Sequence, residues 1–162
     1  MTDPNMKNGP WRANVAALIR VGNKFLRCER SQPRGVWQTV QGGIEDSDKS
    51  VQHALLRELV EELGVAPESV NIVARSSCWR RYSFPPEVLR AHPERNNVGQ
   101  EQMWFLVELN HLSAIDLSRS EGEFFQVELV ELEKLLANIV SWKLPVVKDF
   151  CYEMGLLSPF SG

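Results

Sequence analysis

The sequence predicts an α+β fold, a mixed β-sheet covered by helices. Two observations lead to it: apolar runs of strand length recur along the chain with two helical regions set among them, and strand and helix do not alternate strictly, as a parallel sheet of βα units would require. At 162 residues the chain suits one domain with one site.

Taken in order, residues 15–21 and 24–28 are two apolar-rich runs joined by Gly22-Asn23, a two-residue turn signal of the hairpin kind. Residues 36–40 form another short strand that ends in Gln41-Gly42-Gly43. Ser47 and Asp48 then supply N-cap chemistry for a helix that runs to about Leu63, and Gly64 is placed to end it. Residues 70–82, 102–109 and 124–129 are β-rich, with a Pro-containing loop over residues 85–99 between the first two. Residues 131–139 and 145–154 close the chain as helices, the second with Pro145 in its permitted first turn.

Composition narrows the function. With 18 basic and 21 acidic residues the net charge is -3, which argues against a protein that coats nucleic acid by neutralising phosphates, so any RNA contact is expected to be local and end-directed. Cys28, Cys78 and Cys151 are odd in number and show no paired spacing, the pattern of reduced thiols in a cytoplasmic protein. Residues 1–10 read as a polar, flexible lead-in without the apolar core of a signal peptide or a membrane span, residues 11–157 as the domain, and 158–162 as a tail. No feature names a protein partner.

The chemistry concentrates in Arg57-Glu58-Leu59-Val60-Glu61-Glu62-Leu63-Gly64-Val65. At about 100° per residue, Glu58, Glu61 and Glu62 share an arc of roughly 100°, and Leu56, Leu59, Val60 and Leu63 gather on the opposite side as the expected buried stripe. Like charges at this spacing repel, and Arg57 compensates only part through its pairing four residues on with Glu61. The acids also crowd the C-terminal half of the helix, where its dipole disfavours them. A hard divalent cation answers both problems, since magnesium takes carboxylate, water and phosphate oxygens. The bland alternative is a solvated acidic face.

These nine residues match the second half of the Nudix box, and Gly42-Gly43 resembles its glycine start. The chain thus resembles the Nudix hydrolase family, and the resemblance implies an α/β/α sandwich. It also implies a magnesium site, with manganese as substitute, built from the Gly43 carbonyl, Glu58, Glu61 and Glu62, with water attacking a phosphoanhydride. The first half of the box departs from the pattern. Counting from Gly42 reaches Asp48 at the acidic position but leaves one residue too many before Arg57, whereas counting from Gly43 restores the spacing and lands on Lys49. A one-residue insertion in loop 44–48 accounts for this, with Asp48 or Glu45 as substitute acid.

Three further segments resemble the subgroup of bacterial RNA pyrophosphohydrolases and dinucleoside polyphosphate hydrolases: residues 11–15, beginning Trp11-Arg12, residues 37–43, and residues 98–106, which include Gln100. The subgroup implies metal-side Glu123, with Glu62 or Glu123 as the general base and Arg57 in the catalytic set. It also implies substrate contacts from Arg12, Arg30, Tyr82, Gln100, Trp142 and Lys143. Guanidinium groups suit phosphate oxygens, and Arg27 is a weaker candidate for that grip. Trp142 suits base stacking, although its apolar neighbours Val140 and Leu144 equally suit a core residue. Arg80-Arg81-Tyr82 resembles a motif of the subgroup and equally suits a charged strand edge. His53, His92 and His111 lack ligand spacing and read as surface residues.

The expected substrate is a 5′-triphosphate RNA end, the alternative a dinucleoside polyphosphate. A catalytically inactive nucleotide-binding module would be expected to lose one of Glu58, Glu61 and Glu62, and all three are present.

Overall fold

A computed structural model describes residues 10–158. The expected lead-in and tail therefore lie outside the described residues, apart from Pro10 and Ser158.

The long strand β1 (Trp11–Val21) turns at Gly22, φ 62°, into β2 (Lys24–Arg30). The single strand expected over 36–40 divides into β3 (Trp37–Gln38), which pairs with β2, and β4 (Val40–Gly43), which pairs antiparallel with the first half of β1. Helix α1 (Val51–Leu63) follows. The β-rich stretch over 70–82 likewise divides, into β5 (Asn71–Arg75) and β6 (Arg80–Ser83), which pair side by side along β7 (Gly99–Glu108). The segment expected as a loop holds the short helix α2 (Pro86–Ala91), with Pro at its permitted start. Strand β8 (Phe124–Val130) pairs with β2, and α3 (Leu132–Ala137) and α4 (Leu144–Glu153) end the fold.

The sheet is mixed, because β1 runs parallel to β7 while its other neighbours are antiparallel. Alternation along β1 supplies both cores. Val15, Ala17 and Ile19 pack with Leu55, Leu59 and Leu63 of α1, whereas Ala16 and Leu18 pack with Leu135, Val147 and Phe150 of α3 and α4. The result is the expected helix, sheet and helix layering. Among the described residues no helix is long and apolar enough to cross a membrane. Cys28 and Cys151 are buried, Cys78 is exposed, and all three are free thiols.

Two local expectations change. The N-cap of α1 is Ser50, whose hydroxyl accepts the His53 amide at 3.0 Å, and Ser47 and Asp48 lie in the preceding loop. The inward stripe of α1 is also rotated from the expected one. Glu58 and Glu62 are buried beside Leu55, Leu59 and Leu63, and Leu56 and Val60 are half-exposed. The sheet edge at Gly42 leaves room for carboxylates on the packed side, so the acids face the sheet edge and not away from it.

Candidate active site

Gly42 makes the first part of the site possible. A Cβ there would lie 1.9 Å from the Glu58 carboxyl carbon, so only glycine lets α1 bring that acid against β4. At Gly43 a Cβ would lie 2.2 Å from Arg12 Nη2, so the guanidinium of Arg12 rests on the same stretch of backbone from the other side.

Glu58, Glu61 and Glu62 each offer a carboxylate oxygen within 4.8 Å of the others. Glu62 Oε2 is buried with no hydrogen-bond partner among the described residues. Burial is the largest influence on Glu58 and pushes it up to about 7, with Arg57 opposing and Glu61 and Glu123 adding to the rise. Glu62 is pushed up by burial and then by the neighbouring Glu123 carboxyl. Buried acids crowded this way are costly in the absence of positive charge, and a divalent cation supplies it through the oxygens they present.

Arg57 organises the cluster. It donates to Glu58 Oε1 at 2.9 Å, Glu61 Oε2 at 3.1 Å and the Gly43 carbonyl at 2.8 Å, and its other edge takes both oxygens of Asp48. A carbonyl oxygen has two lone pairs, so the bond to Gly43 leaves one for an ion. Arg57 is thus a positioning residue that braces the carboxylates. Asp48, considered in the sequence as a substitute acid at the metal, has a fully buried side chain given over to Arg57 and the Glu45 amide. Burial opposes its ionisation, but Arg57 and that amide hold its carboxyl below the ordinary range. Glu45 points an exposed carboxylate to within 3.5 Å of Arg57 Nη1, and Lys49 is exposed.

Glu123 reaches the site from the loop before β8, with Oε1 3.5 Å from Gln38 Nε2 and 3.9 Å from Arg30 Nη1. It stands outside the tightest group of three. Arg27 is not available for phosphate: it is buried, stacks 4.0 Å from the Trp37 ring centroid and bonds Glu128 at 3.0 Å.

On the α3 and α4 side a cleft of about 250 Å³ opens, with Arg30, Trp37, Tyr82, Gln100, Trp142 and Lys143 among its walls. Five of the six expected substrate residues, all but Arg12, therefore line one cavity. Trp142 is 36 % exposed, which removes the core alternative. Under the cleft runs a buried polar network that the sequence reading missed. Gln102 donates to Asn14 at 2.8 Å and Gln41 at 2.9 Å and accepts from Trp104 at 3.0 Å, and Gln100 accepts from Tyr82 at 2.6 Å. Lys143 bonds Gln41, and burial depresses its pKa to about 7. The signal available was the alternation of Gln100 and Gln102 on one face of an apolar strand, where polar side chains must find partners. Arg80 and Arg81 are engaged within the fold: Arg80 pairs with Asp149 and Glu153 of α4, and the exposed Arg81 on strand β6 stacks on Trp11.

Carboxylates gathered on one helix beside a glycine-lined stretch of sheet, with an aromatic and cationic cleft nearby, form a site suited to a divalent cation and a phosphate-bearing substrate. The family model of the NUDIX domain matches residues 10–150, and the chain belongs to that family. An RNA pyrophosphohydrolase of Helicobacter pylori (strain P12) is 36 % identical over 149 residues, covering 89 % of this chain and 93 % of that protein. Among solved structures, the E. coli dihydroneopterin triphosphate pyrophosphohydrolase superposes with a TM-score of 0.67 at 15 % identity, over 90 % of this chain and 99 % of that one. A C. elegans Ap4A hydrolase gives 0.62 at 18 % identity, over 89 % and 99 %. At these identities the two structures speak for the fold alone.

Proposed function

We propose that this protein hydrolyses 5′-triphosphate RNA ends to release pyrophosphate, with magnesium, or manganese in its place, as the cofactor. The observation that carries the reading is the stretch Gln41-Gly42-Gly43, which lines the cleft walled by Trp37 and Trp142 at Gln41 and receives the Glu58 carboxylate of the three convergent acids at Gly42. The likeness to RNA pyrophosphohydrolases over most of the chain supports the choice of RNA.

Gly43 through its carbonyl, Glu58, Glu61 and Glu62 would hold the ion, with Glu123 beside them, and the unpartnered oxygen of Glu62 fits that use. When bound, the ion neutralises polyphosphate charge and acidifies the attacking water. Arg57 keeps Glu58, Glu61 and the Gly43 carbonyl in register. Glu62 or Glu123 is placed to take the proton of the water, Glu62 with one unpartnered buried oxygen and Glu123 3.5 Å from Gln38 of the cleft wall. Arg12 and Arg30 grip the phosphates, Trp142 stacks on a base, and Lys143, Gln100 and Tyr82 form the polar floor beneath it.

A second reading, hydrolysis of a dinucleoside polyphosphate, draws on the presence of several aromatic walls in the same cleft, Trp37, Tyr82 and Trp142. The experiment is side-by-side turnover of 5′-triphosphate RNA and diadenosine tetraphosphate with magnesium. A kcat/KM that favours the RNA is expected, and a reversed preference moves the assignment to the second reading.

A further inference from the structure

Arg95 lies in the segment between α2 and β7 that the sequence presents only as a loop. It lines two cavities at once: the main cleft, and a neighbouring space of about 240 Å³ enclosed by Arg12, Phe84, Arg95, Asn97 and Gln100. Phe84, Arg95 and Gln100 are common to both and form the wall between them. The Arg95 guanidinium is held 4.7 Å from the Phe84 ring centroid, a cation–π contact that restricts its swing and leaves its N–H edge for an acceptor. Gln100 is buried, and because its Oε1 accepts from Tyr82, the other end of the amide is a donor. Glu94, the acid on the same turn, is 3.2 Å from His92 Nδ1. Arg12, which also lines this space, rests on the Gly43 backbone, one residue from the Gly42 position that receives Glu58.

We propose that the cavity between Arg12 and Arg95 is a second anion subsite, which holds a phosphate group of the nucleotide chain away from the scissile bond. This rests on the reading of the main cleft as a nucleotide site. Two guanidinium groups lining one small cavity favour a phosphate oxyanion as its occupant. Two sources present that chemistry, a phosphodiester of an RNA strand and the far phosphate of a polyphosphate.

The test is a binding titration of the metal-loaded protein and its Arg95→Ala variant. The probes are a 5′-hydroxyl trinucleotide, whose only anions are phosphodiesters, inorganic phosphate, and an uncharged nucleoside as control. Arg95 is exposed, so its truncation leaves the core intact. The variant is expected to bind at least one anionic probe roughly 10-fold more weakly, with a shallower salt dependence, and Arg95→Lys is expected to recover part of the loss. Loss confined to the trinucleotide assigns the subsite to a strand phosphodiester, and loss with inorganic phosphate assigns it to a polyphosphate. Unchanged affinity for both anions overturns the proposal, as does an equal loss for the uncharged nucleoside. None of these probes carries a scissile anhydride. Failure to turn over triphosphate RNA would therefore count against the proposed reaction and leave the titration readable.

Discussion

Arg57 and Asp48 form a two-point ion pair, Nε to Oδ1 and Nη2 to Oδ2 both at 2.9 Å, with the Asp48 side chain fully shielded from solvent. They stand nine positions apart, and the pair ties the loop after β4 to the middle of α1. Because the same guanidinium reaches Glu58, Glu61 and Gly43, the loop acid acts on the carboxylate cluster through Arg57.

Asp48→Ala is accordingly expected to lower stability, since it removes both of these charge-assisted bonds while Arg57 keeps its bonds to Glu58, Glu61 and Gly43, and to lower turnover by loosening Arg57. Lys49→Ala, one residue on and exposed, is expected to change neither. Thermal unfolding and kcat/KM for the two variants check this. A harmless Asp48→Ala would remove the bracing role.

Glu61→Gln and Glu62→Gln are expected to abolish most turnover while leaving the fold intact. In the metal-free protein either change relieves repulsion among three acids within 4.8 Å, so stability stays level or rises slightly. Near wild-type rates at saturating magnesium in either variant would sink the metal-site assignment.

The acidic helix and its stop at Gly64 were legible in the sequence, because periodicity and a glycine in the left-handed region, φ 64°, are local signals. The N-cap was misplaced for a long-range reason: Asp48 looked like a cap, but Arg57 nine residues later claims its carboxylate. Trp142 could not be separated from core by its apolar neighbours, since its exposure depends on where α3 and α4 leave the cleft open. Arg95 carried no signal, because a residue in an irregular segment has no period to mark its direction. Glu58 and Glu62 were read as pointing away from the packed face, and their burial beside Leu59 depends on Gly42, which belongs to another element.

Metal and pH are expected to be linked. Glu58 and Glu62 have folded pKa values above the unfolded carboxylate value of about 4.3. Their contribution to stability is therefore complete below about pH 4.3 and is lost as pH rises through about 7 for Glu58, and beyond the ordinary carboxylate range for Glu62. Asp48 and Glu29 are shifted the other way, so their contributions are already in full by about pH 5 and do not obscure the trend. Magnesium should thus raise Tm more at about pH 8 than at about pH 6, and calorimetry in buffers of different ionisation enthalpy should show protons released on binding near pH 6. A magnesium effect on Tm that does not vary with pH would contradict this.

The last prediction concerns Trp142, which stands at the mouth of the cleft with about a third of its surface exposed. If it stacks on a base, Trp142→Ala should weaken turnover of 5′-triphosphate RNA by about 1 to 3 kcal/mol in transition-state terms, roughly 5-fold to 150-fold. Inorganic tripolyphosphate, which has no base to stack, should lose much less. A fully buried tryptophan would instead cost about 3 to 5 kcal/mol of folding stability on truncation and depress activity on every substrate alike. The observed exposure therefore predicts a small change in Tm beside a substrate-dependent loss. Thermal unfolding measured with both assays decides the matter, because a large fall in Tm with uniform loss of activity would refute the stacking role.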